Sequence, residues 1–129
     1  MSGRTFRGNR QIAALHRRLR ELRLLAYGAV HTDHPVMAHI IPIRRCNLSC
    51  TYCNEYDNFS KPVPTSVMVD RINQLADLGT TIITLSGGEP LLHPDLDDII
   101  AAMRRRGVLA CLITNGYLLM PDRIERLNR

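Results

Sequence analysis

Three times along this 129-residue chain, a short apolar run of strand length gives way to a segment with helical spacing. Glycine or proline marks most of the changes. Residues 38–44 read as the first strand, with Pro42 removing one ladder donor and so suggesting an edge or strand-end position. Residues 66–78 predict a helix capped by Thr65 or Ser66, with Met68, Ile72, Leu75 and Ala76 inward and Gly79 as its stop. Residues 80–85 form a β-rich run of buried-strand length, broken by Ser86 to Pro90. A second helix is expected over residues 95–106, with Leu96, Ile99, Ile100 and Met103 inward and Gly107 as its end. Residues 108–113 read as a third strand closed by Thr114-Asn115-Gly116, and Pro121 opens a last helix through Ile124 and Leu127.

Strands alternating with helices at this interval indicate parallel βαβ units, whose crossovers are right-handed in about 98% of cases. If the strands are laid down in order, both complete crossover helices fall on one face of the sheet. The expected fold class is therefore α/β, an arc of a barrel. The loops that leave parallel strands emerge at one end of the sheet, where such folds bind their ligands.

Ahead of these units lies a different kind of segment. Residues 1–25 hold seven arginines against Glu21 alone, a net of +6, so the rest of a chain of net charge +5 sums to −1. Ile12, Leu15, Leu19, Leu22 and Leu25 or Ala26 recur at helical steps, predicting an amphipathic helix from about Asn9 to Ala26 that stops near Gly28. Residues 1–37 are read as this basic helix and its linker, and residues 38–129 as the core. A solvated helix across one end of the fold is the simplest role for the arm; contact with an anionic membrane surface is the other. No apolar run reaches the length of a membrane span and no secretory signal is evident, so a cytoplasmic location is expected. No nucleic-acid partner is expected.

All three strand exits carry unusual sequences. Cys46, Cys50 and Cys53 follow the first strand with C-x3-C-x2-C spacing, Gly87-Gly88-Glu89-Pro90 follows the second, and Thr114-Asn115-Gly116 the third. Three cysteines within eight residues read as a metal site in a reducing compartment, not as disulfide staples. Three thiolates can hold three corners of an iron–sulfur cube and leave the fourth iron open to a small molecule. Zinc is the competing reading, with His31, His34, His39, His93 or Cys111 as a fourth ligand. Adjacent glycines allow a close approach to the main chain, and Glu89 adds a carboxylate suited to an ammonium group.

In this combination the chain resembles the radical S-adenosylmethionine (radical SAM) enzymes. Their hallmark is C-x3-C-x2-C with an aromatic residue before the last cysteine, here Tyr52, followed by Gly-Gly-Glu-Pro and Thr-Asn-Gly runs like these in the same order. The resemblance covers roughly residues 38–129. It implies three βα units of a partial (β/α)6 TIM-like barrel, the N-terminal half of the family's core. It further implies a [4Fe–4S] cluster on Cys46, Cys50 and Cys53, with S-adenosylmethionine chelated to the open iron. Gly88 and Glu89, in the turn from Gly87 to Pro90, would hold the methionine amino group. Tyr52 would meet the adenine through its backbone, and Thr114 and Asn115 would lie near cofactor or substrate. The implied activity is generation of a 5′-deoxyadenosyl radical that abstracts hydrogen from a small-molecule, lipid or peptide substrate. An electron donor such as flavodoxin or ferredoxin would serve it, and no catalytic side chain is implied beyond cluster and cofactor.

Family members close six βα units, whereas only three are legible here, so the chain is expected to be the first part of a longer protein. The alternative function is a non-catalytic iron–sulfur or zinc-binding fragment. Among the remaining residues, Cys111 reads as a small buried hydrophobe and His93 as a helix-entry residue before Pro94. Arg104, Arg105 and Arg106 complement the negative end of their helix. Arg44 and Arg45, just before the cysteine loop, are candidates to favour thiolates or meet an anionic substrate.

Overall fold

The computed structural model describes residues 35–128, together with residues 15, 18, 19, 22, 26 and 28–30 of the N-terminal segment. The rest of the predicted arm, including Ile12 and the linker histidines His31 and His34, lies outside the described residues. Every described position of the arm is helical, and helix continues through Gly28 to Val30, so Gly28 is not the stop that sequence suggested. Leu15, Leu19 and Leu22 are exposed.

Residues 35–128 form a three-stranded parallel sheet in the order β1 (Met37–Ile43), β2 (Ile82–Gly87), β3 (Leu109–Leu112). The crossovers carry α1 (Thr65–Asp77) and α2 (Leu96–Arg105), and α3 (Pro121–Leu127) follows β3. Register aligns Ala38 with Ile83 and Ile83 with Ala110, then Ile40 with Leu85 and Leu85 with Leu112. Because strand side chains alternate, these two rows face the helices. There Ile83 and Leu85 meet Met68 and Ile72 of α1 and Leu96, Ile99 and Met103 of α2, all fully buried. The intervening row, His39–Thr84–Cys111, belongs to the other face. Cys111 is half-buried where a buried position was expected, as are its neighbours Ala110 and Leu112 on β3, the last strand in the sheet order, whereas Thr84 on the central strand is buried.

Pro42 sits on β1, an edge strand of this sheet, where the register with β2 shifts between Ile40 and Ile43. The irregularity accommodates the missing donor, and the Pro42 carbonyl turns outward to accept from Val63 N at 2.9 Å. Two cap expectations change. Neither Thr65 nor Ser66 caps α1, whose first flanking residue is Pro64, and Thr65 instead donates its hydroxyl to Asp95 at 2.5 Å. The arginines at the end of α2 reach other elements as well as their own helix end. Arg104 meets the Leu127 carbonyl and Arg106 pairs with Asp77. A short 3-10 turn, Pro90–Leu92, follows β2 where sequence suggested only a break.

Candidate cluster and cofactor site

The strand exits are built from the second outward, around a buried charge. Glu89 is fully buried. Its Oε1 accepts from Leu91 N at 2.9 Å, capping the 3-10 turn, and from the Thr114 hydroxyl at 2.8 Å. Its Oε2 accepts from Asn115 N at 2.9 Å. A carboxylate removed from water is tolerated only when donors of this kind replace its hydration. The carboxylate that sequence offered to an ammonium group thus has three protein donors, and it rivets the exit of β3 to that of β2.

Gly88 joins the first exit to the second. Its N–H donates to Ile43 O at 3.2 Å, and Glu89 N donates to Arg45 O at 2.8 Å. A Cβ on Gly88 would overlap the carbonyl oxygens of Arg44 and Arg45, which are backbone and cannot swing away. A Cβ on Gly87, at φ +114°, would lie 2.5 Å from Ile41 Cγ2 and 2.7 Å from Ile43 O. The close approach that these two glycines permit is therefore, first of all, that of the neighbouring strand. Pro90 is buried at the start of the turn.

The cysteine loop leaves β1 and returns to it. Asp57 N donates to Arg44 O at 3.0 Å, and Arg44 Nε pairs with Asp57 Oδ2 at 3.2 Å. Asp57 also accepts from the Ser60 hydroxyl at 2.5 Å, Ser60 N at 2.8 Å and Phe59 N at 3.2 Å. The Ser60 hydroxyl above all, then the Ser60 and Phe59 amides and Arg44, outweigh partial burial and hold the Asp57 carboxyl below its ordinary range. Arg45 reaches the Asn58 carbonyl at 3.4 Å. Both arginines, candidates for thiolate or substrate contact, are thus used to pin the loop's return.

Within that pinned loop the three thiols are free and half-buried. Cys53 N donates to Cys50 O at 3.0 Å, a turn that draws these two together. Cys46 Sγ accepts from Leu48 N at 3.4 Å and from Asn115 Nδ2 at 3.8 Å. Tyr52 is 88% exposed. Hydrogen bonding to Cys50, that residue's charge, slight burial and the charge of Cys53 push its phenol above the ordinary value. Among the described residues no three His, Cys, Asp or Glu side chains are grouped tightly enough to hold a metal ion as they stand. The zinc reading finds no fourth ligand in His93, since its Nε2 faces Val63 O at 2.9 Å and its Nδ1 accepts from Asp95 N at 3.1 Å. His39 is exposed on β1. Three soft sulfur donors on one loop, two of them in one turn, fit an iron–sulfur cluster with one iron left open.

Sequence reasoning placed Cys46, Glu89, Thr114 and Asn115 at one rim, and hydrogen bonds join these four residues, from all three exits, into one network. It missed Asn47, whose Oδ1 accepts from Asn115 Nδ2 at 2.8 Å, and the Asp57–Ser60 pin. The Asp-x-x-Ser spacing, typical of a side-chain-closed turn, was the available signal for the pin. His93 proves to be a buried clamp between the approach to α1 and the start of α2.

The fold and rim define an α/β protein with a parallel sheet and a three-cysteine loop at its first strand exit. The chain belongs to the radical SAM superfamily, whose family model matches residues 40–129. It is 36% identical over 88 residues to a PqqA peptide cyclase of Gluconobacter oxydans, covering 66% of this chain and 25% of that protein. It is 38% identical over 85 residues to an AdoMet-dependent heme synthase of Methanosarcina barkeri, covering 64% and 24% respectively. The chain thus spans about a quarter of the length of these curated relatives. Among solved structures, Streptococcus suis SuiB bound to its precursor peptide SuiA superposes with a TM-score of 0.66 at 22% identity, over 81% of this chain and 24% of that one. That likeness supports the partial TIM-like barrel fold. Among the described residues no helix is long and apolar enough to cross a membrane.

Proposed function

We propose that this chain forms the cluster-binding and cofactor-binding N-terminal half of the core domain of a radical SAM enzyme. The observation that carries the reading is the joined rim. Cys46, Glu89 and Asn115 come from three different strand exits and are linked by hydrogen bonds within a family-matched region.

When bound, a [4Fe–4S] cluster with S-adenosylmethionine supplies reductive cleavage of the sulfonium to give a 5′-deoxyadenosyl radical. The chain's own residues bind and orient. Cys46, Cys50 and Cys53 would ligate the cluster, and the loop that carries them is held at both ends by β1 and by Asp57. The turn from Gly87 to Pro90, fixed against Arg45, would offer the backbone of Gly88 and Glu89 to the methionine amino group, because the Glu89 carboxylate is buried and already has three protein donors. Tyr52 would offer its backbone to the adenine, and Thr114 and Asn115 would border the cofactor. One relative is named for a peptide and another for heme. The region they share with this chain would be the radical-generating part of the core, with substrate choice set outside it. An external one-electron donor would be required, and flavodoxin or ferredoxin are of the right kind.

The test is spectroscopic. After anaerobic reconstitution with iron and sulfide and reduction with dithionite, the paramagnetic signal of the cluster is expected to change on adding S-adenosylmethionine. A cluster signal indifferent to S-adenosylmethionine would instead favour a metal-binding module without the cofactor site. Release of 5′-deoxyadenosine is expected to be small from this 129-residue chain alone.

A further inference from the structure

We propose that Asn115 is a positioning residue for Cys46, tying the exit of β3 to the cysteine loop and donating an N–H to the Cys46 sulfur. The assignment of a cluster-tuning role rests on the cluster-binding reading above, whereas the tie itself does not.

Hydrogen bonds on either side fix the carboxamide in one orientation. The backbone N–H of Asn115 is committed to Glu89 Oε2 at 2.9 Å, and Glu89 is itself immobilised by burial. Asn115 Oδ1 accepts from Tyr117 N at 3.1 Å, which assigns the oxygen end of the amide and leaves Nδ2 facing the loop. Nδ2 then lies 2.8 Å from Asn47 Oδ1 and 3.8 Å from Cys46 Sγ. An amide nitrogen carries two N–H groups and can serve both acceptors at once. An exposed asparagine in a turn usually closes only its own turn or meets water. This one also reaches a residue 69 positions earlier in the chain.

The consequence is specific to one ligand. Cys46 Sγ has two N–H donors, Leu48 N and Asn115 Nδ2, while Cys50 and Cys53 are joined by a backbone turn. Hydrogen bonds to ligand sulfur withdraw electron density and raise a cluster's reduction potential. Through Asn115, the third βα unit therefore both positions the first thiol and adjusts how readily a cluster on it accepts an electron.

Two substitutions test this in the 129-residue chain. Asn115→Ser keeps a short acceptor for Tyr117 N and the backbone bond to Glu89, but its hydroxyl falls short of Cys46. Asn115→Ala also removes the turn acceptor. In the metal-free protein, amide exchange at Leu48, whose N–H is held by Cys46 Sγ, is expected to quicken roughly three- to tenfold in both variants, with protection of Ile83 and Leu85 unchanged. After reconstitution, both variants are expected to show a lower midpoint potential than the wild type. Unchanged exchange at Leu48 would overturn the tie. Faster exchange with an unchanged potential would overturn the sulfur bond, as would a shift seen in Asn115→Ala and absent from Asn115→Ser. If the wild-type chain assembles no cluster, the functional reading fails and the exchange rates still decide the tie.

Discussion

Between sheet and helices, Met68, Ile72, Ile83, Leu85, Ile99 and Met103 are held by apolar contact, whereas at the strand exits Glu89, Asn115, Asn47 and Asp57 are held by a few directed bonds. The two regions share the same strands, yet they depend on side-chain chemistry in different ways. Apolar contact is non-directional and scales with buried area, so shape and volume matter more than identity. A hydrogen bond to a buried carboxylate has one donor, one acceptor and a narrow geometry, so replacing either atom leaves its partner unsatisfied. The lesson is that conservative substitutions should be tolerated between the layers and not at the rim.

The largest effect is expected from emptying the core. Leu85→Ala should cost about 2–5 kcal/mol in denaturant unfolding, while Ile83→Val should cost only about 0.5–1.5 kcal/mol. Gly88→Ala comes next, adding a single methyl group against two backbone carbonyls. It should cost at least the upper part of the roughly 1–3 kcal/mol typical of overpacking, and abolish iron binding together with the fold of the rim. Equal stability of Gly88→Ala and wild type would mean that the first two exits are less tightly joined than the structure shows.

Glu89→Gln is the sharper test because it conserves shape. It replaces one acceptor oxygen by an N–H₂ group facing Leu91 N, the Thr114 hydroxyl or Asn115 N, all of them donors. A loss of about 1.5–3 kcal/mol for each charge-assisted bond broken is expected. If this isosteric change is as mild as Ile83→Val, the contrast between core and rim collapses.

The smallest effect concerns pH. The Asp57 carboxyl lies below its ordinary value of 3.8, so the stabilisation its contacts give is fully present above that value. It is lost as pH falls through the lowered value. Relative to intrinsic rates, amide exchange at Phe59 and Ser60 should stay constant from neutral pH down to about 4 and quicken only below. Asp57→Asn should weaken the loop at neutral pH and remove that acid step.

The core was largely legible in the sequence because its code is local. Met68 and Ile72, or Leu96, Ile99, Ile100 and Met103, announce themselves by spacing of three and four residues, and each falls where that spacing placed it. The three rim motifs were legible as motifs. Their wiring was not, because Thr114 and Asn115 reach Glu89 across 25 and 26 residues and Asn47 lies 68 residues from its partner. Those pairings depend on strand register, which periodicity does not specify. The same limit explains the caps. Thr65 has the right side chain at the right place to cap α1, and it is drawn instead to Asp95, a partner that only the packing of α1 beside α2 supplies.

On the proposed function, the joined rim would hold an iron–sulfur cluster on Cys46, Cys50 and Cys53. The most direct measurement is the iron and sulfide content of the anaerobically reconstituted chain beside its three single Cys→Ala variants. The expected result is about four iron and four sulfide per wild-type chain, with substantial loss in each of the three variants and retention in Cys111→Ala. Iron bound without sulfide, zinc taken up in preference, or a cluster that survives removal of any one of Cys46, Cys50 and Cys53 would contradict it.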